Sequence, residues 1–201
     1  MSFRRMLRSV WVVASVAAGL HALVALPAQA GESTAAWDET SRALADQLMS
    51  ELKTELGQAM QQGGPVTAIA VCKTRAPEIA ARLSSSSGAS MGRTALRLRN
   101  PANAPDDLER AVMAVFATEL SKASSPAAAP EAVLEFRSTQ GIERRYMRAI
   151  VMQPLCLTCH GATIAPEVAA VIGKEYPLDA ATGFESGQLR GAVTVRWPAS
   201  R

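Results

Sequence analysis

The chain has 201 residues, 21 Lys+Arg against 18 Asp+Glu, a formal net charge of +3 and a pI near 9.0. The whole excess sits in Arg4, Arg5 and Arg8, because the first thirty residues hold no acid; residues 31–201 carry eighteen charges of each sign. That balance excludes a basic surface for nucleic acid or anionic lipid, and the length suits one domain with a real core.

Residues 1–30 read as a secretory signal peptide. A basic start (Arg4, Arg5, Arg8) precedes an apolar run from Val10 to Leu26 and the small-x-small ending Ala28-Gln29-Ala30. The other reading is an uncleaved membrane anchor; Pro27 and the Ala-Gln-Ala ending favour cleavage. No later segment is apolar enough to span a bilayer. The expected location is the periplasm, an oxidising compartment.

Thr34 to Met60 predicts one long helix, with Leu44, Leu48, Leu52 and Leu56 repeating every four residues. Gln61-Gln62-Gly63-Gly64-Pro65 ends it. Val66 to Val71 reads as a short buried strand leading to Cys72, and Arg75 to Leu83 as a short helix with Pro77 in its first turn. Ser84 to Gly88 is a polar loop. Ser90 to Arg99 alternates like a strand, placing Arg93, Arg97 and Arg99 on one face. Asn100 to Pro105 is turn-rich, and Asp106 or Asp107 caps a helix reaching Lys122. A loop over Ser124 to Pro130 follows. Val133 to Ser138 and Arg144 to Met152 form a hairpin about Gln140-Gly141. Pro166 to Gly173 is a short helix and Gln188 to Trp197 a closing strand. Helices and strands mix without regular alternation, which favours an α+β fold with an antiparallel sheet. Residues 31–201 form a single domain.

The chemistry lies in Cys156-Leu157-Thr158-Cys159-His160, a C-x-x-C-H. In an exported protein this spacing reads as covalent attachment of one c-type haem. Two thiols three positions apart can reach the two porphyrin vinyl groups, and His160 then lies under the iron. A thioredoxin-like dithiol would need a βαβ context and gains nothing from the histidine. Zinc would want four ligands, and Cys72 would complete a Cys₃His set by count.

His160 is the only histidine after residue 30, so a second imidazole is not available to the iron. The remaining ligands are Met49, Met60, Met91, Met113, Met147, Met152, the thiolate of Cys72, a lysine, water or none. Cys72 stands beside Lys73 and Arg75, charges that favour a thiolate; equally, an apolar strand is where an inert buried cysteine sits, and an intermolecular disulfide is a third fate. Arginine pairs with carboxylates in a bidentate fork, so Arg93, Arg99 and, less directly, Arg97 either meet haem propionates or form a solvated strand face. Tyr146 either stacks near the haem or packs in the core.

The stretches AIAVCKTRAPEIA, GRTALRLRNPANAPDDLE, YMRAIVMQPLCLTCHG and YPLDAATGFESGQLRGAVTV, in that order, resemble a family of exported single-haem c-type cytochromes. The resemblance spans roughly Trp37 to Pro198. It implies a PAS-like fold, an antiparallel sheet flanked by helices, and His/Cys axial ligation with Cys72 and His160 in the matching places. One departure is Ala95, where the family pattern expects serine; a hydrogen bond near the haem is thereby removed.

The expected function is a redox or small-ligand sensor, because thiolate binds ferrous iron less well and its release would open the site to a diatomic gas such as CO or NO. With no output domain in the sequence, signalling needs a partner, either a redox protein or a membrane signalling protein. The alternative is a soluble electron-transfer cytochrome. An enzyme, for example a peroxidase, is not expected, since no second histidine is present to act as distal acid/base. The leucine-striped helix either packs on the sheet or forms a homodimer.

Overall fold

The computed structural model describes residues 34–123 and 128–200. Residues 1–30, read from the sequence as a signal peptide, lie outside them, as does part of the loop predicted over Ser124 to Pro130. Helix α1 (Thr34–Ala70) is longer than its sequence pattern indicates. Its buried line is Trp37, Ser41, Ala45, Leu48, Leu52 and Ala59, a 3.6-residue stripe that covers the sheet of its own chain.

The predicted strand Val66 to Val71 does not form. The helix kinks at Gly64 (φ 67, ψ −168), and Pro65, whose fixed φ suits a first helical turn, opens a second helical segment. Ala68, Ile69 and Val71 are buried from that segment; so short an apolar run has no readable period. Val71–Arg75 then forms one π-helical turn, in which the Ala76 N–H donates to Val71 O, five residues back. Cys72 therefore lies in a helical bulge and not at a strand end. Helix α2 (Ala76–Ser87) follows, taking in most of the predicted polar loop. The Ser84, Ser85 and Ser87 hydroxyls donate to the carbonyls of Ala80, Ala81 and Leu83, four residues earlier. Gly88 stops the helix with a left-handed φ of 76.

Strand β1 is only Ser90–Thr94, so the predicted strand to Arg99 is cut short. The chain turns through a 3₁₀ turn, Pro101–Asn103, and Ala95 N–H donates to Asn103 O. Asp106 caps helix α3 (Asp107–Lys122) in a capping box with Glu109. Strands β2 (Glu131–Ser138) and β3 (Gly141–Val151) make the expected hairpin. A 3₁₀ turn (Pro154–Cys156), helix α4 (Leu157–His160), helix α5 (Pro166–Glu175) and strand β4 (Leu189–Ser200) complete the chain.

The four strands are ordered β1-β4-β3-β2, every pair antiparallel. Tyr146, Ile150, Val193 and Val195 face α1 and α2, while Met147, Ala149 and Ala192 face Val112, Met113 and Phe116 of α3. This is the two-residue alternation of a sheet covered on both faces. The architecture is α+β and PAS-like, with the long N-terminal helix that the sequence indicated. Among the described residues, no helix is long and apolar enough to cross a membrane.

Candidate functional site

The end of β1, the start of β4, the end of β3 and the start of β2 meet at one end of the sheet. Leu52, Leu56, Met60 and Ile69 of α1 cover that end, and a cavity of about 720 Å³ lies between. Cofactor pockets run from roughly 300 to 1,000 Å³.

One wall comes from contiguous sequence. Cys156 ends the 3₁₀ turn that Pro154 opens, and Cys159 and His160 close α4. Both thiols are free, half-buried and in the cavity lining. Burial raises the Cys159 thiol above its usual range. Gly161 turns the chain at once: its N–H donates to Leu157 O at 2.8 Å, and a side chain there would place Cβ 2.6 Å from that oxygen.

His160 is held on three sides. Its Nδ1 lies 2.6 Å from Ala181 O, its ring meets Phe184 edge-on at 6.3 Å, and its own carbonyl accepts from the Phe184 N–H at 2.9 Å. A carbonyl can only accept, so Nδ1 carries the proton and Nε2 keeps its lone pair. Burial, with Arg190 and Arg99 adding, pushes His160 down to about 3. The ring is neutral, the form that binds a metal.

The rest of the lining is assembled from distant segments. Cys72, on the π turn, is half-buried and lines the same cavity. Its sequence neighbours are engaged elsewhere: Lys73 pairs with Glu175, and Arg75 with Glu78 and, at 2.7 Å, with Glu55. Two other cations of the lining, Arg93 and Arg190, lie within electrostatic reach of Cys72. Among the described residues, no three His, Cys, Asp or Glu side chains gather to hold an ion directly. The Cys₃His zinc tetrad is therefore not assembled. The thioredoxin reading also fails, since the motif leaves an antiparallel strand and no βαβ unit surrounds it.

The arginines separate into three kinds. Because β1 ends at Thr94, Arg93, Arg97 and Arg99 do not share a strand face. Arg93 lines the cavity with no hydrogen bond or ion pair to any described residue, and burial lowers its pKa. Arg99 also reaches the lining, but its Nε and Nη2 are bound to Asp179 at 3.1 and 3.0 Å. Arg97 stands outside the lining, stacked over Phe184 at 4.1 Å. Tyr146 is outside it too: it is fully buried in the core under α1, and its hydroxyl donates to Glu131 Oε1 at 2.6 Å. Of the methionines, Met49, Met60 and Met152 line the cavity and the other three do not.

Sequence reasoning missed Arg190. It lines the cavity, makes one hydrogen bond to Arg97 O at 3.2 Å and has no carboxylate partner among the described residues. Burial, then Arg99 and Arg93, push it down to about 10. The available signal was a lone arginine at the mouth of the apolar strand LRGAVTV.

A family model described as Tll0287-like matches residues 28–198. The chain belongs to the Tll0287-like family. It is similar to the crystal structure of the cyanobacterial heme-protein Tll0287, at 26% identity, over 81% of this chain and 92% of that one, with a TM-score of 0.57. No curated protein matches. Every residue named on either cavity wall falls within the Tll0287-like span. At the position where this Tll0287-like chain has Ala95, the side chain is buried in the cavity lining, 3.2 Å from where a Gly191 Cβ would stand.

Proposed function

We propose that this protein is exported to the periplasm, binds one haem covalently, and serves as a redox or small-ligand sensor. The carrying observation is the cavity that unites the C-x-x-C-H wall, Cys72 and two half-buried guanidiniums without carboxylate partners among the described residues. The similarity to a heme-protein structure supports the same reading.

The residues fit the group. Cys156 and Cys159 would form thioethers to the vinyl carbons, and His160 would offer Nε2 to the iron. Cys72, from the same cavity lining, would offer its thiolate as a second ligand to the iron. Arg93 and Arg190 supply two half-buried positive charges where charge balance calls for two anions, and haem carries two propionates. When bound, haem would supply one-electron chemistry. The chain's own part is to fix the histidine tautomer, exclude water with α1, and present Cys72 on the π turn. Single π turns within helices recur at functional sites, which suits Cys72 as a working ligand.

A Cys72→Ser variant, matured with haem, is expected to change the absorption and EPR spectra of the oxidised protein; an identical spectrum would remove Cys72 from the iron. The reduced protein is expected to bind CO. An unreactive six-coordinate reduced form would favour the electron-carrier reading instead.

A further inference from the structure

The Arg99–Asp179 pair has both side chains under a tenth exposed, 8% and 9%. Burying two charges costs more solvation than a pair easily returns, so stability alone is a weak reason for it. Its surroundings give another. Arg99 Nη2 also donates to Cys159 O at 2.6 Å and reaches Ala181 O at 3.3 Å. Asp179 Oδ1 accepts from the Ala181 N–H at 2.9 Å, which fixes the turn that presents the Ala181 carbonyl. Ala180 N–H donates to Leu98 O at 2.7 Å, and Arg97 Nε to Ala180 O at 3.2 Å. Segments 97–99 and 179–181 are thus stitched together. The Ala181 oxygen serves two donors, His160 Nδ1 and the Arg99 guanidinium.

We infer that Arg99, locked by Asp179, is a positioning residue for His160: it holds the carbonyl that orients the imidazole and draws charge from that same oxygen. The inference builds on the proposed haem reading, in which His160 is an iron ligand. A carbonyl shared with a guanidinium is a poorer acceptor, so the imidazole keeps less anionic character and donates less to the iron. Without Arg99, the Nδ1 hydrogen bond strengthens, a buried cation is lost, and both changes favour the oxidised iron.

The test uses the full chain matured with haem, as wild type, Arg99→Gln, Arg99→Lys and Asp179→Asn. Three quantities are read: reduction potential, the EPR g-values that report ring orientation, and hydrogen exchange of the Gly183 and Phe184 amides. Those amides bond to Gly161 O and His160 O, so their exchange reads the histidine's seat directly. Arg99→Gln is expected to lower the potential, shift the g-values and speed exchange of both amides. Arg99→Lys keeps the charge but lacks the fork, and should shift the g-values and exchange as Arg99→Gln does. Asp179→Asn should do the same, with a double variant that adds little. If Arg99→Gln does not accumulate, the nearly isosteric Asp179→Asn decides. Unchanged g-values and exchange, or full rescue by lysine, would overturn the inference. Failure of the wild type to hold covalent haem would sink the haem reading, while amide exchange would still report on the clamp.

Discussion

The two walls of the cavity are built on opposite plans. The C-x-x-C-H wall comes from five consecutive residues, folded by a 3₁₀ turn, one turn of helix and a glycine. The other wall, the rest of the lining, draws Cys72 from a helical bulge, Arg93 from β1 and Arg190 from β4. The first wall keeps its geometry as long as a few local bonds hold. The second exists only when α1, α2 and the sheet are packed. One cavity thus combines a local attachment point with a long-range enclosure, and the two should respond differently to damage.

Replacing Cys156 and Cys159 together by alanine should produce the largest effect. Covalent attachment is expected to be lost entirely, seen as a denaturing gel with no haem stain, while the Cys72 wall stays folded. Haem that remained bound through denaturation would break the distinction between the walls.

Gly161→Ala attacks the same wall through the backbone. The new Cβ would meet Leu157 O, so a destabilisation of about 1–3 kcal/mol is expected in urea unfolding, with haem attachment impaired. Unchanged stability would mean that the tight turn after His160 is easily rebuilt.

Arg190→Met probes the other wall and should change sign with loading. In the haem-free chain, removing a half-buried cation without a carboxylate partner should stabilise by up to about 1 kcal/mol. In the haem-loaded protein the same variant should be less stable than wild type. Unfolding curves of both forms check this, and a shift of one sign in both would separate Arg190 from the cofactor.

Asp106→Ala serves as a control remote from both walls. It removes the α3 cap and should cost about 1 kcal/mol without altering the haem spectrum. Burial works to raise the Asp106 carboxyl, but the Glu109 N–H and the Arg145 guanidinium outweigh it and hold it below the usual range. Its folded pKa lies below its unfolded one. Its contribution is therefore complete above about pH 4 and lost as pH falls through the folded value. The difference between variant and wild type should shrink on acidification in that window, measured by urea titration at several pH values.

The same contrast explains what the sequence could reveal. C-x-x-C-H names its own residues because its chemistry and its geometry are both local. The start of α3 and the β2–β3 hairpin were legible for that reason too: an aspartate at 106 or 107, and Gln140-Gly141, act on their immediate neighbours, while the choice of Asp106 and its box with Glu109 came from the structure. Val66–Val71 was misread as a strand because so short a run, five apolar residues and Thr67, fits either period, and Pro65 acts only once the kink at Gly64 is known. The serines of Ser84–Ser87 looked like loop because their bonds to carbonyls four residues back exist only inside a helix. The arginine face of Ser90–Arg99 failed where β1 leaves its partner, β4, at Thr94. Arg190 was passed over because its meaning depends on which strands end at the same place.

Cys72 reaches the cavity from a helix wound with one residue too many. The Val71–Arg75 turn closes on Ala76 five residues along rather than four, so everything after it is rotated relative to a regular continuation. The address of this thiol is therefore written in the number of residues between Pro65 and Ala76, and not in their side chains. A scan of substitutions across this stretch would leave that count untouched; deletion of Thr74, or insertion of one residue beside it, would edit it directly.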